Sequence, residues 1–408
     1  MLGKIEKLSA RTILDSRGNP TIEAILVTDS KTFKASVPSG ASTGIYEATE
    51  LRDQNGGVLG AIENINKIIS PKLVGKDVCL QKDIDDLMVN LDGTKNKARL
   101  GGNAICAVSL VVCRAGAGIS GVDLFRYVRN IADKEHNLLI DGYNIPSPSF
   151  NIINGGCHAK NNLDIQEFMV VPVAELFSEK IKKIQIIYNE LKNILIQKFG
   201  ENNLNLGDEG GFAPALSNTE EAIKLILEAT KGEKVGLILD VAASQFFKDE
   251  QYKIDGKNLN KKEMVSYYES LVSKYPIIGI EDPFSEDDWQ GFNFITSSLG
   301  DKISIIGDDL LVTNPERIKK AQQEKAVNTA LLKINQIGTV SEALRYAKLA
   351  RDFGWKIMVS HRSGETLDDF IADFSVGIGA DFIKSGAPSQ KERMVKYDRL
   401  LEIEKEII

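Results

Sequence analysis

Cysteine is scarce in this 408-residue chain. There are four, Cys79, Cys106, Cys113 and Cys157, and no two form a CxxC pair. No His–Cys spacing suits zinc, so neither a disulfide framework nor a zinc module is expected. Cys106 and Cys113 lie seven apart in NAICAVSLVVCRAGAG. That spacing puts both on one helix face, as small buried hydrophobes in a reducing compartment. Long apolar runs are also missing. The N-terminal stretch has no apolar core of signal-peptide length, and no run reaches the ~20 residues that span a bilayer. Excess positive charge is absent too. Lys plus Arg number 50 against 57 Asp plus Glu, a net charge of −7. That balance argues against general binding to nucleic acid or anionic membranes. A cytoplasmic globular protein is expected, with 43% hydrophobic and 26% charged residues as in ordinary soluble domains.

What is present suggests two domains. KIEKLSARTILDSRGNPTIEAILVTDSKTFKASV holds three strand-like runs broken at DSRGNP and TDSK, the pattern of an antiparallel meander. VLGAIENINKIISPKLVG, QKDIDDLMVNLDG and NAICAVSLVVCRAGAG then read as helices. Strands followed by helices suggest a small α+β domain. The polar break ADKEHNLLIDGYNIPSPS places the boundary, with residues 1–136 as the N-terminal α+β domain and 137–408 as a C-terminal β/α barrel of near-typical size. Helix starts recur through the second part: Ser217 with Glu220 as a capping box, Asn314 before Pro315, Thr339 with Glu342, and Thr366 with Asp369. Short apolar strands alternate with these helices, which implies a parallel sheet, and six such units favour closure.

The strand ends share a property. GLILD ends at Asp240, PIIGIED carries Glu281, ISIIGDD carries Asp308, ALLK ends at Lys333, KIMVSHRS leads to His361, Arg362 and Ser363, and DFIK ends at Lys384. In a barrel such ends meet at one mouth, where catalytic residues sit. Three successive carboxylates converging there would repel without a cation between them. Oxygen-only ligands suit Mg²⁺. Asp282 and Asp309 adjoin two of the three acids, and periodicity does not choose within each pair. Lys333, Arg362, Ser363 and Lys384 suit a carboxylate or phosphate. A negative quadrant facing a positive one implies a small polyanionic substrate. NLGDEGGFAP puts Asp208 and Glu209 in a loop, His158 sits among glycines in NGGCHAKNN, and Gln166 and Glu167 start the next strand.

These residues carry a resemblance to the enolase (phosphopyruvate hydratase) family over essentially the whole chain. The matching segments are ILDSRGNPT, VPSGASTG, NIINGG-HA, DIQEFM, GDEGGFAP, IEDPF, GDDL-VTN, LLKINQIGT, SHRSGET and IKSGAP, in the family's order. The resemblance implies reversible dehydration of 2-phosphoglycerate to phosphoenolpyruvate in glycolysis. It implies a barrel whose first units are irregular and two Mg²⁺ ions per active site. It maps the metal ligands onto Asp240, Glu281 and Asp308, with Ser42 for the second ion. It maps the base onto Lys333, the general acid onto Glu209 and its acidic partner onto Glu167. Substrate contacts fall on Gln166, Arg362, Ser363 and Lys384, with His361 beside the substrate. GASTG and GGCHA, the latter with His158, become mobile lids, and FFKDEQYKIDGKNLNKK a third. A homodimer, sometimes an octamer, is implied, with secondary cell-surface or secreted occurrence known in the family. No nucleic-acid or membrane binding is required.

The chemistry needs such groups. The C2 proton lies beside a carboxylate, and its removal creates a dianion that cations must stabilise. A lysine base must be neutral, and Lys384 and the metal ions are expected to lower the Lys333 pKa. Glu209 beside Glu167 is expected to share a proton. Gln245 and Leu367 depart from the family pattern, at positions where it carries acids. A Schiff-base aldolase would also use a strand-end lysine, but it has no need of three converging carboxylates.

Overall fold

The computed structural model describes every residue except 1, 2, 30, 41–43, 45 and 160. Ser42 and most of the GASTG segment, expected as a lid, therefore lie outside the described residues. The chain begins with β1 (Ile5–Leu14), β2 (Pro20–Thr28) and β3 (Thr32–Ser36), an antiparallel sheet in that order. Along β2, Ile22, Ala24 and Leu26 are fully buried while Glu23, Ile25 and Val27 are half-buried, the period of a strand covered more completely on one face. Helix Gly102–Ser120 packs on β2 and β3. It is apolar all round and long enough to cross a membrane, yet 83% of it is buried inside the protein, as befits a core helix. Cys106 and Cys113 are both fully buried on it. The helix Leu124–His136 runs further than the polar composition of ADKEH implied.

The second part is a closed barrel. Its strands are β4 (Ser147–Asn154), β5 (Glu167–Pro172), β6 (Val235–Asp240), β10 (Ile277–Glu281), β11 (Ser304–Gly307), β12 (Thr329–Leu332), β13 (Lys356–Ser360) and β14 (Phe382–Lys384). They close in the order β10-β11-β12-β13-β14-β4-β5-β6. Met169, Val171, Ile238, Ile306, Leu331, Met358 and Phe382 fill the interior beneath the mouth, the packed plug of such barrels.

One local feature gives the expected irregular first units their form, and others depart from the expectations. Strand β5 runs antiparallel to both β4 and β6, whereas the remaining pairs are parallel. No crossover helix separates β4 from β5, and only a crossover returns a chain parallel to itself. The segment read as a third loop forms its own antiparallel sheet, β7 (Phe247–Lys248), β8 (Gln251–Ile254) and β9 (Lys257–Leu259). Its Asp255-Gly256 turn has positive φ at both residues, the conformation Asp-Gly favours in a two-residue hairpin. Helix Thr219–Thr230 is capped by Asn218, whose side chain accepts from the Glu221 N–H, one residue beyond the expected Ser217–Glu220 box. Asn314 caps Pro315–Glu324 and Thr339 caps Val340–Asp352 as read, whereas the helix expected from Thr366 and Asp369 starts at Phe370 with no side-chain cap from Asp369.

Candidate active site

The barrel order decides which groups face each other. Glu167, Asp240 and Glu281 are in-register neighbours across β5, β6 and β10. Asp308 follows β11 and Lys333 follows β12. Counting around the closed order, β12 stands opposite β5, and β14 stands opposite β10. Lys333 and Glu167 thus flank the mouth from opposite walls. One polar pocket is lined by His158, Gln166, Glu167, Glu209, Asp240, Asp308, Lys333, His361, Arg362, Ser363 and Lys384, so the expected groups in described residues converge, with Glu281 at the pocket's edge beside Lys384.

The acids and the cations occupy separate arcs of the barrel order, β6-β10-β11 and β12-β13-β14, as expected, but their side chains do not stay apart. The Lys384 ammonium reaches across the mouth and lies 2.9 Å from Asp240 Oδ2, 2.9 Å from Glu281 Oε2 and 3.0 Å from Glu167 Oε2. Lys333 is paired with Asp308. Opposite charges in a low-dielectric pocket close on each other instead of sitting apart. This pairing also sets the direction for Lys333 among the protein's own groups. Burial is the largest single influence and pushes its ammonium down, with Arg362 and Lys384 acting the same way, yet Asp308 and Glu281 push it up and the net direction is a rise.

Hydrogen bonding separates the members of one acid pair. Asp282, at a strained φ of +40°, accepts from the Asp308 N–H (3.1 Å) and the Asp309 N–H (2.7 Å). Both its oxygens are thereby committed to the backbone, while Glu281 faces Lys384. Asp308 is held on its other side by Gln336 Nε2 at 3.3 Å. Oxygens of Asp282, Asp308 and Asp309 lie within 4.8 Å of one another. Burial and the neighbouring carboxylates raise Glu281 and Asp282, and raise Asp309 to about 7. Acids that resist ionisation in one another's presence, with oxygen as the only donor, are a set that a hard divalent cation fits.

A second cluster forms on the far wall. His158 Nδ1 is 3.5 Å from Glu167 Oε1 and 3.9 Å from Glu209 Oε1. Asn151 donates to Glu209 Oε2 at 3.0 Å, and His361 Nε2 lies 3.3 Å from that same oxygen. Burial and the Glu209 charge push Glu167 well up. Glu209 is driven well down, because His361, His158 and Arg393 outweigh its burial. The two carboxyls are thus pushed in opposite directions.

Gln245 meets the site directly. Its amide donates to Gln166 Oε1 (2.5 Å) and Cys157 Sγ (3.1 Å), and Gln166 Nε2 faces Asp240 Oδ2 at 3.3 Å. Leu367 is 52% exposed. The sequence reading missed Glu47, which is buried and reaches from the N-terminal part to Arg362 Nη1 at 2.9 Å. Its place three residues after GASTG was the available signal. It also missed Arg393, which sits in an ordinary-looking amphipathic stretch of the last helix.

The comparisons with known proteins agree along the length of the chain. A family model described as "Enolase, N-terminal domain" matches residues 5–128, and one described as "Enolase, C-terminal TIM barrel domain" matches 142–408. The chain is 50% identical to a Dictyostelium discoideum protein named Enolase B, over 99% of this chain and 95% of that one. It is 48% identical to Enolase of Methanocaldococcus jannaschii, over 99% and 96%, and 47% identical to Enolase of Thermococcus gammatolerans, over 99% and 95%.

Proposed function

The chain belongs to the enolase family, and from that premise we propose a role for each group at the barrel mouth. The reaction is the reversible dehydration of 2-phosphoglycerate to phosphoenolpyruvate, by a metal-dependent lyase acting on a small molecule. The observation that carries the assignment is the opposition of β12 and β5. A substrate held between them meets a base on one face and an acid on the other, which an elimination with proton removal and hydroxide departure on opposite sides requires.

Lys333 takes the C2 proton in its neutral form, which burial, Arg362 and Lys384 favour and Asp308 opposes. The single proton shared by the Glu167–Glu209 pair is carried by Glu209 when it is delivered to the departing hydroxyl, which leaves as water, and Glu167 is its acidic partner in the His158 cluster. Arg362, Ser363 and Lys384 bind the anionic groups of the substrate, with Gln166 alongside. His361 stands beside Glu209. Asp240, Glu281 and Asp308 would hold one Mg²⁺, and Ser42 would contribute to a second. When bound, these ions supply positive charge where the substrate carboxylate gains electron density.

We place the domain boundary at residues 136/137, at the polar break, and the protein in the cytoplasm, as its composition suggests, as a homodimer, as the resemblance implies. Absorbance of phosphoenolpyruvate formed from 2-phosphoglycerate tests the reading. Turnover is expected with Mg²⁺ and is expected to vanish in EDTA. Full activity in EDTA would remove the metal from the assignment, and no turnover with Mg²⁺ would remove the reading altogether.

A further inference from the structure

Arg393 has no part in the roles above, yet it is completely buried against them. It lies on helix Lys391–Ile407 and joins two loops of the mouth. Nη1 donates to the Arg362 carbonyl at 2.6 Å, and Nη2 donates to the carbonyls of Ser363 (2.6 Å) and Asp208 (3.1 Å). Nη1 also meets His361 Nδ1 at 2.6 Å. The seat is made by Gly386, at φ +78°: a Cβ there would come within 2.9 Å of Arg393 Cδ and 2.8 Å of the Glu209 carbonyl.

A guanidinium carries five N–H donors, no acceptor, and a proton it does not lose in proteins. The nitrogen it touches must present a lone pair, so Nδ1 of His361 carries no hydrogen. A neutral imidazole has one hydrogen to place, and it falls on Nε2. That atom is the one 3.3 Å from Glu209 Oε2. We propose that Arg393 is a positioning residue that fixes His361 in the Nε2–H tautomer, making the ring a neutral donor turned toward Glu209. Burial favours the neutral ring, the Glu209 charge opposes it, and the Arg393 charge adds to burial. The balance brings His361 down to about 4, so the ring stays neutral at working pH. A second cation beside Glu209 would bind its charge more tightly, whereas a neutral donor orients the carboxylate and leaves the charge of the Glu167–Glu209 pair unchanged.

This inference rests on Glu209 belonging to the acid pair, but its test reads the ring by itself. The chain has three histidines, His136, His158 and His361, so nitrogen-15 NMR of the labelled full-length protein resolves each imidazole, with His361→Gln assigning the signal. At pH 7 the wild-type ring is expected to show a protonated Nε2 and a bare Nδ1. In Arg393→Gln a mixture of the two tautomers is expected, with kcat lowered about tenfold or more as the donor is lost. A wild-type ring protonated at Nδ1 overturns the inference, and so does an Arg393→Gln ring still wholly Nε2–H. The second result would leave Arg393 as a tie between loops. If Arg393→Gln does not fold, the wild-type spectrum decides alone. Should the tautomer hold while Glu209→Gln still dehydrates substrate, the acid assignment fails and the ring's geometry stands.

Discussion

Lys333 and Glu209 have separable tasks because proton removal and hydroxide loss occur on different walls of the pocket. Lys333→Ala is expected to slow exchange of the substrate's C2 proton with solvent by ~10²–10⁴-fold. Glu209→Gln is expected to keep that exchange while blocking phosphoenolpyruvate formation. Exchange lost in Glu209→Gln and kept in Lys333→Ala would interchange the roles. Asp282 offers a second residue-level test, since its two oxygens hold the N–H groups of Asp308 and Asp309. Asp282→Asn keeps one acceptor and turns a donor toward the other N–H. Isothermal titration should then find Mg²⁺ binding weakened about 10- to 100-fold, the usual cost of disturbing a ligand's support. The charged strand ends were legible because an ionisable group closing an apolar run is visible in one dimension. What stayed hidden was reach. That Lys384 crosses the mouth to Glu281, or that Asp282 turns to the backbone while Glu281 does not, depends on side-chain direction at a single residue.

At the level of elements, the start of helix Val340–Asp352 is gripped by two helices of the N-terminal part. The Ser341 N–H donates to Asp85 and the Val340 N–H to Ser109, while Gln81 also donates to Asp85. Burial raises Asp85 to about 6, against the lowering effect of hydrogen bonds from Ser341, Ser109 and Gln81. A folded pKa above the unfolded one means that this contribution to stability is complete below about 4 and is lost as pH rises through about 6. Asp85→Asn imitates the protonated form, and the Gln81 oxygen, which has no hydrogen-bond partner, can accept from the new amide. The variant should match wild type at pH 4 and exceed it at pH 8 by about 1–3 kcal/mol. Denaturant unfolding at both pH values would show this, and a difference independent of pH would refute it. Helix starts were largely readable because caps are local chemistry, with Asn314 and Thr339 used as expected. An irregular start to the barrel was expected, but that it takes the form of a reversed β5, and that the third loop segment is the β7–β9 sheet, was not readable, since a connection reads as loop whether it ends in a hairpin or a crossover.

At the scale of the whole molecule, the two parts meet through charges far apart in sequence. Arg362 pairs with Glu47, Lys97 with Glu342, and Arg114 with Asp368 and Asp369. The division into two parts was legible from composition and length, but this seam was not, because no periodicity couples residues two hundred or more positions apart. Metal occupancy should also register globally. A cation that binds only the folded site adds about 2.7 kcal/mol at a hundredfold excess over its dissociation constant. The melting temperature is expected to rise with Mg²⁺ and to fall back in EDTA. An unchanged melting temperature at concentrations that support turnover would contradict binding at these buried carboxylates.

The reversal of β5 has a mechanical consequence. Residues 155–166, with Cys157 and His158, leave β4 at Asn154 and rejoin the barrel at Glu167, and those two residues are paired in register. The segment joins two neighbouring strands, so its feet stand side by side, roughly 5 Å apart, on the barrel rim. A flap mounted in that way can tilt over the opening but has little freedom to slide across it. A single proteolytic cut within it would leave two short stubs, each still anchored to its own strand, with the barrel wall intact beneath. Whatever the segment contributes above the pocket could then be lost while the barrel beneath keeps its shape.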